Sequence, residues 1–414
     1  MNELPASAQA PWDIETSAVT RWAHRLLLFF YRPLNWPTPA AILALVLLAT
    51  LGGGWWWLLS GNATVAALAA AFLLGSSASD AAVLNIQQNR RISALSWKGH
   101  LFPLVAARLL AGFVLAVAGV WLGWSVALGL LLGAWALGSA LLVRGALVEP
   151  RRLALTHLAI ASERLAPGSE PLRLLHISDV HIERAAEREA TVLSLAERAA
   201  PDLILITGDY ANTSFKTDPQ THDDIRAFLG RLSAPHGVYA VMGSPTVDLQ
   251  DVVPPLFQGT GITLLRDERR RVDLGDGRTV TLFGVDCHHD IPEDAEALAA
   301  LRPEDCDGGP SVLLYHSPEL LHQAVNHGLD LYLCGHTHGG QVRMPVVGAL
   351  VTFSKLGRRY AMGHYHEGRT HLYVTRGVGF EGLSAPRVRF LCPPEITLVT
   401  ISPASQAGRA SSPA

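Results

Sequence analysis

Between residues 40 and 143 the chain runs through four apolar stretches, 40–59, 63–84, 102–122 and 124–143. Each is close to the roughly 20 residues that carry a helix across a bilayer. Few folds are open to such a segment, because in lipid every backbone N–H and C=O must be satisfied internally. The N-terminal region, residues 1–150, is therefore expected to be a transmembrane α-helical bundle of about four spans. The whole chain cannot follow it into the membrane, since 17% of its 414 residues are charged while 49% are hydrophobic. That mixture predicts two regions of different character.

Charge sets the orientation. Residues 1–170 hold 11 Lys/Arg against 7 Asp/Glu in a chain of net charge −3. The basic residues flank the apolar runs instead of forming a stripe on a polar surface, which fits a membrane and not nucleic acid. Arg21, Arg25 and Arg32 precede the first run, Arg90, Arg91 and Lys98 separate the second from the third, and Arg144, Arg151 and Arg152 follow the fourth. The positive-inside rule then predicts a multi-pass protein of the cell (inner) membrane with its C-terminal region in the cytoplasm. The second hairpin turns at Gly123 alone, and a three-span reading would move the C-terminal region to the other side; the charge pattern favours four. Trp55, Trp56, Trp57, Trp121 and Trp124 are expected at the opposite interface. Asp80 and Arg108 fall near or inside the second and third runs, where they either pair or, as the simpler expectation, snorkel to the surface. The first run stands behind more than thirty mostly polar residues, unlike a cleaved signal peptide, and is expected to remain in the mature protein. Cys287, Cys306, Cys334 and Cys392 form no CxxC pair, so neither a disulfide framework nor a thiolate metal site is indicated.

From about Leu172 short β-rich runs alternate with helical segments, the pattern of an α/β domain, here taken as residues 151–403. Strands are predicted at 173–177, 203–207, 238–242, 280–285, 312–315 and 329–334, with helices at 187–199 and 318–326. Residues 404–414, rich in Ser and Ala, are expected to be a disordered tail. Polar residues gather just after the strand ends, where open α/β sheets build their sites. In order they are Asp179-Val180-His181, Gly208-Asp209, His316 and Gly335-His336-Thr337-His338. Singly, an Asp after a strand is a cap and a His is structural. Together, the six side chains suit Mn, Fe or Zn and are enough for two ions if one carboxylate bridges.

These motifs, with Leu174 to His181, Thr207-Gly208-Asp209, Gly335 to Gln341 and Thr375-Arg376-Gly377, resemble the calcineurin-like metallophosphoesterase family over about residues 149–401. The narrower likeness is to its membrane-associated bacterial branch, which includes phosphodiesterases and UDP-diacylglucosamine pyrophosphatase-like enzymes of lipid precursors. The resemblance implies an α/β fold in which a β-sandwich is flanked by helices. It also implies two divalent metal ions, Mn, Fe, Zn or Mg. Asp179, His181 and His338 would hold the first, His316, His336 and Ser244 the second, and Asp209 would bridge. Asp209, His338 and Arg376 would act in catalysis, Arg376 as a phosphate clamp. The implied substrate is a phosphorylated small molecule or a lipid-linked phosphodiester or pyrophosphate.

One loop departs from the family. Where Gly-Asn-His-Asp or Gly-Asn-His-Glu is usual, this chain has Gly243-Ser244-Pro245-Thr246. The family's Asn is a metal ligand and its His contacts the phosphoryl group and assists the leaving group. Ser244 offers a weaker oxygen, and Pro245 offers nothing. Loss of a general acid costs about 10²–10⁴-fold, less where the leaving group is already a phosphate, so pyrophosphate or aryl substrates are favoured over alkyl diesters. His288 and His289 follow a strand and are the residues that could compensate. The alternative is a weakened, metal-binding pseudoenzyme with a regulatory or scaffolding role; retention of the six other ligands speaks against it. A transporter role for the spans has only Asp80 and Arg108 in its favour.

Overall fold

The computed structural model describes residues 18–275, 277–303 and 308–407. The chain forms two compact units, one of Ala18–Pro150 with Gly382–Val388, the other of Arg151–Glu381 with the chain from Arg389 onward.

In the first unit helix α1 (Ala18–Tyr31) precedes four long helices, α2 (Thr38–Ser60), α3 (Ala63–Asn89), α4 (Trp97–Leu122) and α5 (Trp124–Val143). These four are long and apolar enough to cross a membrane. The tight α2–α3 turn is built by two residues. Gly61 takes the left-handed conformation that ends α2, and Asn62 Oδ1 accepts the N–H groups of Thr64 and Val65 to start α3. Gly52 and Gly53 let α2 lie close on α3, since a Cβ at either would strike Leu73 or Ala70.

Two expectations are corrected within this unit. Arg108 does not snorkel: its Nε and Nη2 donate to the two Asp80 oxygens at 2.7 and 2.6 Å, and Nη2 also reaches Ser139 Oγ at 2.9 Å. An apolar surrounding makes the partner worth more than water at a distant surface. Trp56 is fully buried and donates to Gly112 O at 3.1 Å, so it is a packing residue of the bundle and not part of an interfacial belt. The segment Gly382–Val388 belongs to the same unit: Ser384 Oγ donates to Leu27 O, and Gln87 Nε2 donates to Arg387 O.

The second unit is a sandwich of two six-stranded sheets. Its strands are β1 (Ala154–Ser162), β2 (Leu172–Ile177), β3 (Leu203–Ile206), β4 (Val238–Ala240), β5 (Thr263–Leu264), β6 (Glu268–Asp273), β7 (Thr279–Gly284), β8 (Ser311–Leu314), β9 (Leu331–Cys334), β10 (Arg343–Met344), β11 (Gly348–Ala349), β12 (Gly363–Glu367), β13 (Thr370–Val374) and β14 (Glu395–Pro403). One sheet has the order β1-β14-β2-β3-β4-β5 and the other β12-β13-β9-β8-β7-β6, while β10 and β11 form a separate hairpin. The central strands are continuous apolar runs because both of their faces are covered. Leu172, Leu174, Leu203 and Leu205 face Leu282, Leu314, Leu331 and Leu333 in a core between the sheets. The alternate residues Leu175, Ile177, Ile204 and Ile206 pack outward against helices α6 (Glu187–Ala199) and α7 (Pro219–Leu229). On the opposite face Phe283, Leu313 and Tyr332 pack against α8 (Ile291–Ala300) and α9 (Leu321–Asn326). Strand β2 runs parallel to β3, and β3 to β4; β7, β8 and β9 are likewise parallel, so both sheets send consecutive strand ends toward one edge. Ala404–Ala407 form a helical turn where a disordered tail was expected; residues 408–414 of that tail lie outside the described residues.

Candidate metal centre

The edge where those parallel strands end collects every residue expected at the centre except Arg376. Asp179 and His181 follow β2, Asp209 follows β3, Ser244 follows β4, His316 follows β8, and His336 and His338 follow β9. Asp179, His181, Asp209, His336 and His338 all have φ between 45° and 68°. Left-handed backbone at five non-glycine positions is strain concentrated at one place, the pattern of a functional site held by its surroundings. The glycines among them are needed for close approach. A Cβ on Gly335 would collide with the Asp179 carboxylate, and one on Gly208 with the backbone of Gly243.

Two groups of donors share this edge. In the first, Asp179, His181 and His338 bring one ligand atom each within 4.8 Å of one another. His181 Nε2 stands 3.1 Å from His338 Nε2 and 3.5 Å from Asp209 Oδ2. In the second, His316 Nε2 lies 3.3 Å from Asp209 Oδ2. Ser244 Oγ sits among its residues, 3.1 Å from His316 Nε2, 3.4 Å from His336 Nδ1 and 3.4 Å from Asp209 Oδ2. Asp209 thus reaches both groups.

The remaining ring atoms are already engaged. His181 Nδ1 faces Ala211 O at 3.2 Å and Glu381 Oε2 at 3.1 Å, and His316 Nδ1 faces Thr207 O at 2.7 Å. Such contacts fix the ring and leave Nε2 for a metal. His336 is turned the other way, with Nε2 toward Phe353 O at 3.4 Å and Nδ1 toward the centre. Asp179 Oδ2 is buried without a hydrogen-bond partner, a position that a cation would satisfy. Burial lowers His336 and His338, holding both neutral as ligands must be. For His316 burial acts the same way, but the Asp209 carboxylate outweighs it and raises this imidazole to about 10. Burial would raise Asp209, and His316 in turn pulls it below the usual carboxylate range. A proton on His316 therefore occupies the charge balance that a cation would take. The donor set, its burial and the unsatisfied oxygen fit two divalent ions.

Arg376 is elsewhere. Its backbone N–H donates to Glu395 Oε1 at 3.0 Å and its Nη2 pairs with Glu395 Oε2, so an acid of the fold holds that nitrogen. Of the two loop histidines, His288 turns away to Asp294 at 2.8 Å, whereas the His289 ring lies 4.8 Å from that of His336. Four residues went unnoticed in the sequence. Asp248 accepts the N–H groups of Asp209, Tyr210 and Gly243 at 2.7–3.0 Å and so ties the altered loop to the bridging residue. Arg389 is fully buried with Nη2 3.2 Å from His338 Nδ1. Glu381 backs His181, and the buried Lys216 donates to Thr246 O. None lies at a motif spacing, and only a fold that brings distant loops together reveals them.

The comparisons with known proteins agree with this geometry. A family model described as calcineurin-like phosphoesterase matches residues 172–340. The chain is 30% identical over 262 residues to the uncharacterized metallophosphoesterase YkuE of Bacillus subtilis, covering 61% of this chain and 87% of that one. It is 28% identical over 239 residues to phosphodiesterase YaeI of Escherichia coli, covering 56% and 83%.

Proposed function

The chain belongs to the calcineurin-like phosphoesterase family, and from that premise we propose that it is a membrane-anchored, metal-dependent hydrolase of a phosphodiester or pyrophosphate bond. Asp179, His181 and His338 would hold one divalent ion and His316, His336 and Ser244 a second, with Asp209 within reach of both sets. When bound, the pair supplies Lewis-acid polarisation of phosphoryl oxygens and a water acidified toward neutrality. The chain's own residues supply the rest. Thr207 O and Ala211 O aim the imidazoles of His316 and His181. Asp248 holds the Gly243–Ser244 turn against Asp209 through three backbone N–H bonds. His289, its ring tilted beside that of His336, would contact the phosphoryl group where the family's loop histidine is replaced by Pro245. Arg376 acts as a positioning residue through Glu395.

The observation that carries the reading is Ser244 Oγ lying within 3.1–3.4 Å of donor atoms of His316, His336 and Asp209. The altered loop still brings an oxygen among these donors, which supports a second ion there. The basic flanks of the four apolar helices support a cytoplasmic site in the cell membrane. The test is hydrolysis of an aryl phosphodiester and of a nucleotide-sugar pyrophosphate by the full chain loaded with Mn, with Asp209→Asn as control. Turnover that needs metal and disappears in the control is expected. Bound metal without turnover on either substrate would sink the hydrolase and leave a metal-binding pseudoenzyme.

A further inference from the structure

Among the described residues from Arg151 onward, the exposed large hydrophobics are Met344, Val346, Val347, Leu350, Val351, Phe353 and Leu391. The first six fall in one ten-residue stretch, the β10–β11 hairpin and its return. Leu391 joins them at the hairpin's base, where Phe390 bridges Val342. A soluble surface scatters its exposed aliphatics singly, and a cluster of this kind marks a surface made to be covered. The tip is costly as well. Val346 is 107% exposed at φ 68°, a left-handed position that glycine or asparagine takes without strain and a β-branched residue resists. A turn needing only to reverse the chain has no use for valine there.

The charges around the hairpin indicate what covers it. From Arg343 to Arg359 the sequence has Arg343, Lys355, Arg358 and Arg359 and no acidic residue. Arg358 reaches back to the hairpin, with Nη1 3.4 Å from Ala349 O. Aliphatic residues at a tip with basic residues at its base form the profile of an interfacial anchor, apolar into the acyl boundary and cationic toward anionic headgroups. The same chain carries four helices able to cross a membrane, so a bilayer is at hand. The hairpin is also joined to the metal centre. Arg343 Nη1 donates to Gly339 O at 3.0 Å, a Cβ on Gly340 would strike Ala349, and Phe353 O faces His336 Nε2.

We propose that the β10–β11 hairpin inserts its aliphatic tip into an anionic lipid surface, so that the centre beside it draws a phosphorylated substrate from that surface. The choice of substrate rests on the hydrolase reading above; the insertion does not. The experiment therefore measures depth and not turnover. A nitroxide is attached at Val346→Cys in the full chain carrying Cys306→Ser, the other three cysteines being buried, with a second label at Arg270→Cys as the water-exposed control. In vesicles of phosphatidylcholine and phosphatidylglycerol, the ratio of oxygen to nickel-chelate collisions at position 346 is expected to rise several-fold over detergent and over position 270, and to fall back when Val347→Asp is added. An aqueous signal at 346 in those vesicles would overturn the proposal. So would shielding that persists in detergent and grows with protein concentration, because a second copy would then be the cover.

Discussion

The two halves of the metal centre share Asp209 and one edge of the sandwich, but they are not equally furnished. Asp179, His181 and His338 give the first half a carboxylate and two imidazoles. Around it stand Glu381 on one ring and Arg389 on the other. The second half has His316 and His336, but a further donor is the neutral hydroxyl of Ser244, and the carboxylates within its reach, Asp209 and Asp179, are ones it shares with the first. Strand ends place all these side chains, so the positions follow from the fold; the strength of each donor follows from the residue found there. The first ion should bind tightly and the second weakly, with the weak half governing activity.

The largest test removes what the halves share. Asp209→Asn is expected to lower turnover by at least about 10³-fold, several kcal/mol at 1.36 kcal/mol per decade, and to leave no more than one ion per chain by elemental analysis. Two ions retained with full turnover would mean that the halves do not depend on a bridge. The next test concerns the weak half alone. His289→Ala is expected to cost about 10²-fold in kcat, the scale of a lost proton-handling or phosphoryl-contacting group, with metal content unchanged and partial recovery in His289→Gln. An unaltered kcat would leave the Pro245 loop without a substitute.

A different contrast marks how far the sequence could be read. The donors of both halves were legible because Asp179-Val180-His181, Gly208-Asp209, His316 and His336-Thr337-His338 each follow an apolar strand, which sets them on one edge. The four helices were legible because lipid imposes length and apolarity. What escaped depends on distant partners. Asp248, Arg389 and Glu381 lie 39, 51 and 200 residues from the side chains they support, and no periodicity announces them. Arg376 carries no sign in sequence of the acid it meets, Glu395, on the last strand. The Asp80–Arg108 pair was misread for the same reason.

A gentler substitution sharpens the comparison. Replacing Ser244 by Asn restores the amide that the family uses and should tighten the second ion roughly tenfold, while Ser244→Ala should loosen it by a similar factor, the scale on which changes around a metal move its affinity. Competition with a chelator, read at each step of metal loss, separates the two ions. If both variants change the last, tighter step of metal loss and not the first, the assignment of Ser244 to the weak half is wrong. Pro245 limits the gain, since the loop must keep its present course for the new amide to reach His316 and His336.

The smallest effect belongs to an imidazole behind the second half that stands in neither donor group. His176 on β2 is fully buried, with Nε2 2.8 Å from Thr207 Oγ1, and Thr207 O in turn holds His316. Burial depresses His176 to about 3 from 6.5. The unfolded chain therefore takes up a proton below about 6.5 that the folded chain refuses until about 3. Its contribution to stability is complete above the unfolded value and is lost as pH falls through that window, at a limiting slope of about 1.4 kcal/mol per pH unit. His176→Asn keeps a hydrogen-bonding side chain and has no such proton. With metal removed, it should melt below the wild type at pH 7.5, and the gap in Tm should narrow steadily toward pH 5. A gap that stays constant would mean that His176 takes up its proton as readily in the fold as in the unfolded chain, and its contact with Thr207 would then have to be redrawn around a cation.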